Sequence, residues 1–217
     1  MPSPDRPRRS VLYMPASNPR ALEKAKNLPA DALVFDLEDA VSPDAKDTAR
    51  LAAVGAAGSG AYGHREILVR INGLDTEWWK DDIAAIATSE ADGLLVPKVS
   101  HPHDLQRIEE ALTDSGDDRF QVWAMMETAR GILDARYIAE SSKRLVGFCV
   151  GTADLAKDLQ CAHPADRSPM ITAMQTIILT ARAYGLFVLD GVHAELNDEE
   201  GYQSSCRQGR DMGFDGK

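Results

Sequence analysis

The sequence predicts an α/β protein on a parallel sheet, with a TIM (β/α)8 barrel as the favoured architecture. Three observations carry this expectation. Short apolar, β-branched runs alternate with helix-period stretches along the whole chain, without long linkers or low complexity. About seven such βα units can be counted, one short of the eight that close a barrel. Polar residues stand at the C-terminal ends of several different strands, where barrel enzymes place their chemistry. A doubly wound sheet is the competing architecture, but no G-x-G-x-x-G follows the first strand, which weakens its dinucleotide-binding form.

Each unit has local reasons. Val11-Leu-Tyr-Met-Pro15 reads as a strand, and Ser17-Asn18-Pro19 supplies a cap and a proline at a helix start, with Ala21, Leu22, Ala25 and Leu28 at helical spacing. Ala32 to Asp36 is the second strand, and Ser42-Pro43 opens a helix through Ala57. A stretch rich in Gly, Ser and Ala, Gly55 to Gly63, precedes the strand Glu66 to Ile71. Trp78 to Ala87 reads as helical, with the tryptophans packing, and Gly93 to Pro97 as the next strand. His101-Pro102 opens a helix whose Leu105, Ile108 and Leu112 share a face. Gln121 to Met126 is followed by a helix marked by Ile132, Leu133 and Tyr137. Leu145 to Val150 leads into a longer helical region ending near Arg182, and Leu186 to Asp190 into an acidic helix from about Asn197 to Met212.

With 217 residues the chain can form one large domain or two small ones, and it is taken as a single barrel over residues 1–217. Its net charge of −10 argues against a general nucleic-acid or anionic-membrane binder, although a local basic pocket for a phosphorylated ligand stays open. Arg6, Arg8 and Arg9 read as an N-terminal arm. No apolar run approaches the ~20 residues needed to span a bilayer, and the N-terminus lacks a signal-peptide core. Cys149, Cys161 and Cys206 form no C-x-x-C, so reduced thiols in a cytoplasmic protein are expected.

The strand ends carry Asp36-Leu-Glu38-Asp39, Arg70-Ile-Asn72, Pro97-Lys98, Glu127, Gly151-Thr-Ala-Asp154 and Asp190. Glu127 follows Val-Trp-Ala-Met-Met directly, so it needs a hydrogen-bond, cation or metal partner. Glu127 and Asp154 stand after consecutive strands, about 4.8 Å apart in a sheet. As an oxygen-only pair they suit a hard ion such as Mg²⁺; alternatively each acid caps a helix N-terminus. Arg70 can grip a planar carboxylate, pair with Asp36 or Glu38, or do both. Asp36, Glu38 and Asp39 cannot all reach one face, so one or two should orient Arg70 or metal-bound water and the others face the loop. Lys98 could neutralise a ligand phosphate, support the acidic rim or lie on the surface. His101-x-His103 reads as a solvated capping turn rather than a metal motif, and no histidine-based nucleophile system is visible.

These residues lie in blocks that resemble one family. Arg9-Ser-Val-Leu-Tyr-Met-Pro15, Val34-Phe-Asp-Leu-Glu-Asp-Ala-Val41 with Lys46 and Arg50, Val69-Arg-Ile-Asn-Gly73 and Leu95-Val-Pro-Lys-Val99 are similar to successive motifs of the citrate lyase β-subunit-like branch of the HpcH/HpaI aldolases, which includes malyl-CoA lyases. So are Met126-Glu-Thr-Ala-Arg-Gly131, Val150-Gly-Thr-Ala-Asp-Leu155 and Leu189-Asp-Gly-Val192. The resemblance implies a TIM barrel and Mg²⁺-dependent cleavage of a 3-hydroxyacyl thioester of CoA or acyl carrier protein, of citryl, malyl or citramalyl type. It implies Glu127 and Asp154 as metal ligands, Arg70 as the group that binds the substrate's carboxylate or oxo acid, and Asp36 and Glu38 as its acidic support. A homotrimer is expected on the same ground, with citrate lyase complex partners possible. Relatives continue past the last residues here into an Ile-His-Pro strand and a C-terminal segment that can supply a catalytic acid, so the barrel is expected to be C-terminally incomplete. Ala16 follows Pro15 where many relatives have glycine, a departure in the first loop. Thioester hydrolysis in the same site is the near alternative, and a non-catalytic barrel binding acyl-CoA or a partner subunit the distant one.

Overall fold

A computed structural model describes residues 6–116 and 118–217. Strands β1 (Val11–Pro15), β2 (Ala32–Asp36), β3 (Glu66–Arg70), β4 (Gly93–Val96), β5 (Gln121–Met126), β6 (Leu145–Val150) and β7 (Phe187–Leu189) alternate with helices, as the two periodicities in the sequence require. The helices are α1 (Pro19–Ala25), α2 (Lys46–Ala57), α3 (Trp79–Ile86), α4 (Pro102–Asp114), α5 (Ala129–Glu140), α6 (Thr152–Asp158), α7 (Ile171–Tyr184) and α8 (Glu199–Met212). The sheet runs β1-β2-β3-β4-β5-β6-β7, the strand order of a (β/α) barrel with seven of its eight strands. The chain divides into two compact units, residues up to Pro97 with Arg107–Val122, and Lys98–Gln106 with Trp123–Lys217.

In the first unit β1, β2, β3 and β4 pair in parallel. All five residues of β2 are buried, which explains its unbroken apolar run: a strand covered on both faces has no polar side to show. The Asn18 side chain accepts from the Ala21 N–H at 3.1 Å, and Pro19 sits in the first turn of α1. The basic cluster near the N-terminus is not an arm. Arg8 donates to the buried Glu66 at 2.8 Å, and Arg9 meets Asp31 through its backbone N–H and guanidinium at 2.7 to 2.8 Å. These pairs tie the segment before β1 to the starts of β2 and β3, which charge counting along the sequence could not show.

In the second unit β6 and β7 pair in parallel, and Thr128 caps α5 by accepting from the Gly131 N–H at 3.0 Å. The helical region expected between Val150 and Arg182 is two helices separated by an irregular stretch, with Arg167 in the left-handed region at φ 55° before a short 3₁₀ turn at Ser168–Met170. Leu133 and Tyr137 lie on the exposed side of α5, and Ile132, Ala135 and Ile138 on its buried side. After α8 the backbone returns to β7. Asp215 N–H donates to Val188 O at 2.9 Å, Asp190 N–H donates to Gly216 O at 2.9 Å, and Gly216 bridges Leu189 in parallel. These last residues start along the track of an eighth strand, but among the described residues no eighth strand forms.

Trp123 is fully buried and stacks on Phe187 with ring centroids 6.2 Å apart. Its indole fills the space above Gly147, where an added Cβ would lie 2.3 Å from a ring carbon. Gly147→Ala should therefore destabilise the protein by about 1–3 kcal/mol in denaturant titrations, the usual cost of overpacking a core. Asp31 gives a second test. Its hydrogen bonds from Arg9 hold the carboxyl at about 2, against an ordinary 3.8. The contribution is full above about pH 4 and is lost as pH falls through about 2. Because Arg9 is largely exposed, it should amount to only about 1 kcal/mol. The stability gap between the protein and Asp31→Asn, measured against pH, should close on the acid side.

Candidate functional site

In the first unit the β2 and β3 registers place Asp36 directly beside Arg70 at the C-terminal ends of both strands. Parallel neighbours in register point to the same face, so the pair forms from backbone geometry alone. Arg70 donates from Nε to Asp36 Oδ1 at 2.6 Å and from Nη2 to Asp36 Oδ2 at 2.5 Å, a bidentate fork, and its Nη1 lies 3.1 Å from Glu38 Oε2. Asp36 also accepts the Glu38 and Ala40 backbone N–H groups at 2.9 and 3.3 Å, which fixes the carboxylate from the opposite side. Burial alone would lower the Arg70 pKa, but its hydrogen bond to Asp36 and the charges of Asp36 and Glu38 outweigh that and raise it. The guanidinium therefore stays charged at every working pH. Its central carbon lies 5.7 Å from the Tyr13 ring, a cation–π distance. Of the two readings of Arg70, the geometry shows the ion pair with Asp36 and Glu38. Asp39, the third acid, is exposed.

The same unit fixes the loop after β3. Asn72 donates to Asp82 Oδ2 from its backbone N–H at 2.9 Å and from Nδ2 at 2.7 Å, and Arg50 Nε donates to Asp82 Oδ1 at 2.8 Å. Asp82, wholly buried on α3, thus joins α2, α3 and the β3 exit.

In the second unit Glu127 follows β5 and is 1% exposed. Its Oε1 accepts the Lys98 backbone N–H at 2.8 Å. Lys98 makes that bond from the left-handed region, φ 53°, where a non-glycine residue carries strain on the order of 1 kcal/mol. The lysine expected as a charge at the rim thus contributes its amide to Glu127, while its residue as a whole is exposed. The other carboxylate oxygen rests on Gly151, where a Cβ would come within 1.9 Å of Oε2. Gly151 is the N-cap of α6, and Asp154 stands in the first turn of that helix, half-buried. Among the described residues no hydrogen bond or ion pair engages the Asp154 carboxylate. Ser100 Oγ and Thr128 Oγ1 meet at 2.9 Å beside this group.

The donor set suits a hard divalent cation. Both candidate ligands are carboxylates, and one is buried with its orientation set by a backbone N–H and a glycine. Among the described residues no three His, Cys, Asp or Glu side chains form a complete metal cage. A cation held here would therefore keep positions for water or substrate, as Mg²⁺ does. Asp190 is engaged elsewhere: Arg167 Nη1 pairs with its Oδ1, and Lys217 Nζ donates to its Oδ2 at 3.0 Å. His101 faces Asp134 at 3.3 Å and His103 faces Gln106 at 3.3 Å, while Asp104 Oδ2 accepts the Ser100 and His101 backbone N–H groups at 2.8 and 2.9 Å. The strand-end positions of Asp36, Arg70 and Glu127, and that of Asp154 in the corner after β6, are legible from pattern. The contributions of Gly151 and the Lys98 amide are not, because a left-handed lysine leaves no trace in composition.

The family model HpcH/HpaI aldolase/citrate lyase matches residues 9–217. The chain is 49% identical over 211 residues to (3S)-malyl-CoA thioesterase of Cereibacter sphaeroides, covering 97% of this chain and 72% of that protein. It is 35% identical to citrate lyase subunit beta of Leuconostoc mesenteroides, over 98% of this chain and 72% of that one. Among solved structures, the CitE protein of Mycobacterium tuberculosis in complex with magnesium, acetoacetate and coenzyme A superimposes with a TM-score of 0.81 at 30% identity, covering 97% of this chain and 75% of that one.

Gly151→Ala should drive the Glu127 carboxylate from its place. Calorimetric titration with Mg²⁺ should then show an affinity at least about tenfold below that of the unsubstituted chain, the usual cost of disturbing what orients a ligand.

Proposed function

We propose, for a chain that belongs to the HpcH/HpaI aldolase/citrate lyase family, a Mg²⁺-dependent carbon–carbon lyase acting on a 3-hydroxyacyl-CoA of malyl, citramalyl or citryl type. The observation that carries this is the buried Glu127, oriented by the Lys98 amide and Gly151, with Asp154 in the next helix turn on. That the CitE structure holds magnesium, acetoacetate and coenzyme A supports both the metal and the substrate class. Bound Mg²⁺ would supply Lewis-acid polarisation of substrate oxygens, with Glu127 and Asp154 as its protein ligands.

The chain's own residues carry the rest. Arg70, charged at all working pH values and held by Asp36 through its Nε–Nη2 edge, binds the substrate carboxylate that becomes part of the oxo acid. Asp36 grips its Nε–Nη2 edge and Glu38 lies against its Nη1, so the two carboxylates fix its plane and support the arginine. In the cleavage the 3-hydroxyl gives up its proton, its electron pair forms the carbonyl of the oxo acid, and the C2–C3 bond breaks toward the thioester. The resulting enolate carbon takes up a proton to give the acyl-CoA. Lys98 is assigned to substrate binding through its exposed side chain.

Hydrolysis is the second reading, favoured by the 49% identity to a malyl-CoA thioesterase. There water attacks the thioester carbonyl and the C–S bond breaks, releasing free CoA and the hydroxy acid. Cys149, Cys161 and Cys206 form no disulfide among the described residues, which supports a reducing, cytoplasmic setting. Among the described residues no helix is long and apolar enough to cross a membrane. A homotrimer belongs to the same proposal.

With malyl-CoA, citramalyl-CoA and citryl-CoA as substrates, products separated by chromatography should be acetyl-CoA and an oxo acid. Free CoA with intact hydroxy acid would establish hydrolysis instead. EDTA should abolish turnover and Mg²⁺ restore it, and Glu127→Gln should lower kcat/KM by at least about 100-fold. Undiminished turnover in Glu127→Gln and Asp154→Asn would remove the metal assignment.

A further inference from the structure

Lys46 opens α2 and is 6% exposed, in the one part of a helix where a cation is least favoured by the dipole. A buried ammonium costs stability unless every donor is used. Here Nζ donates to two consecutive carbonyls, Leu37 O at 2.7 Å and Glu38 O at 2.8 Å, and lies 5.3 Å from the centre of the Trp78 ring. Those two carbonyls belong to the peptide planes on either side of the Glu38 Cα. Holding both leaves the Glu38 side chain one direction in which to leave the backbone, and it ends 3.1 Å from Arg70 Nη1. The turn is pinned from its other groups as well: Leu37 N–H donates to Arg70 O at 2.9 Å and Glu38 N–H to Asp36 Oδ1 at 2.9 Å. Charge points the same way. Asp36, Glu38 and Arg70 together carry one excess negative charge, which the ammonium balances. Burial lowers the Lys46 pKa, against the pull of Asp36, Asp82, Glu38 and Asp39.

Resting on the assignment of Arg70 as the receiver of the substrate carboxylate, we infer that Lys46 is a positioning residue for that arginine, acting through the Leu37–Glu38 peptides rather than on substrate. Helix stability alone does not account for a buried cation at a helix start. Its two bonds end on the turn that supplies both carboxylate partners of Arg70.

The test uses the full chain with Lys46→Met, which keeps the side-chain length and removes every donor, and Lys46→Gln, which keeps an N–H₂ group within reach of one carbonyl. With malyl-CoA and Mg²⁺, Lys46→Met should raise KM about tenfold with kcat within about threefold, the pattern of lost uniform binding, and Lys46→Gln should raise it about threefold. In an Arg70→Lys background Lys46→Met should add less than about a twofold further change, because coupled residues do not add. Independently of turnover, the Arg70 Nε–H resonance of the substrate-free protein should shift in Lys46→Met and recover partly in Lys46→Gln. An unchanged resonance with unchanged KM overturns the inference, as does a full tenfold effect in the Arg70→Lys background. If the unsubstituted chain turns over none of the thioesters, the functional assignment fails, and the resonance still decides whether Lys46 orients Arg70. Should Lys46→Met not fold, Lys46→Gln carries the same measurements.

Discussion

A carboxylate buried at the end of an apolar strand imposes conditions on everything around it. Glu127 is 1% exposed behind Met125 and Met126, and water cannot solvate it there. One oxygen has the Lys98 amide, which Lys98 donates from a left-handed backbone. The other lies so close to residue 151 that only glycine fits, and that glycine is the N-cap of α6, whose first turn carries Asp154. One side chain thus touches the backbone of the loop after β4 and the start of α6. Free energy is given up locally, in backbone strain and desolvation, for a donor set of defined geometry.

Arg70 meets the same problem with opposite sign and solves it with more partners. Asp36 faces it in register across β2 and β3, Glu38 approaches from the next turn, and Tyr13 offers a ring face. Breaking such a pair by removing one member costs more than the pair contributes, because the remaining charge stays buried. The Asp36-Leu37-Glu38 turn is therefore best understood as one piece with its arginine and with Lys46.

The strands and helices were readable because their periodicities differ and because caps such as Asn18-Pro19 and Thr128 are local signals. Strand-end positions then followed for Asp36, Arg70 and Glu127, and the corner after β6 for Asp154. Three things were not readable. Arg8 and Arg9 looked like a solvated arm because their partners, Glu66 and Asp31, are 58 and 22 residues away. The break between α6 and α7 has Gln160 near one end and Arg167 near the other, both at positive φ, a conformation no pattern of apolar residues encodes. Lys98 was legible as a charge, yet its contact with Glu127 that geometry reveals is made by its amide, a group every residue but proline possesses.

Asp82 draws a consequence for motion. A segment leaving a strand normally exchanges its amide hydrogens quickly, since it has no ladder to protect them. The Asn72 amide is instead held by a carboxylate that is wholly buried and also holds Arg50. The exit of β3, just past Arg70, is thus ordered as the chain folds. A ligand arriving there meets a segment whose conformational entropy has already been surrendered, and association need not bear that cost.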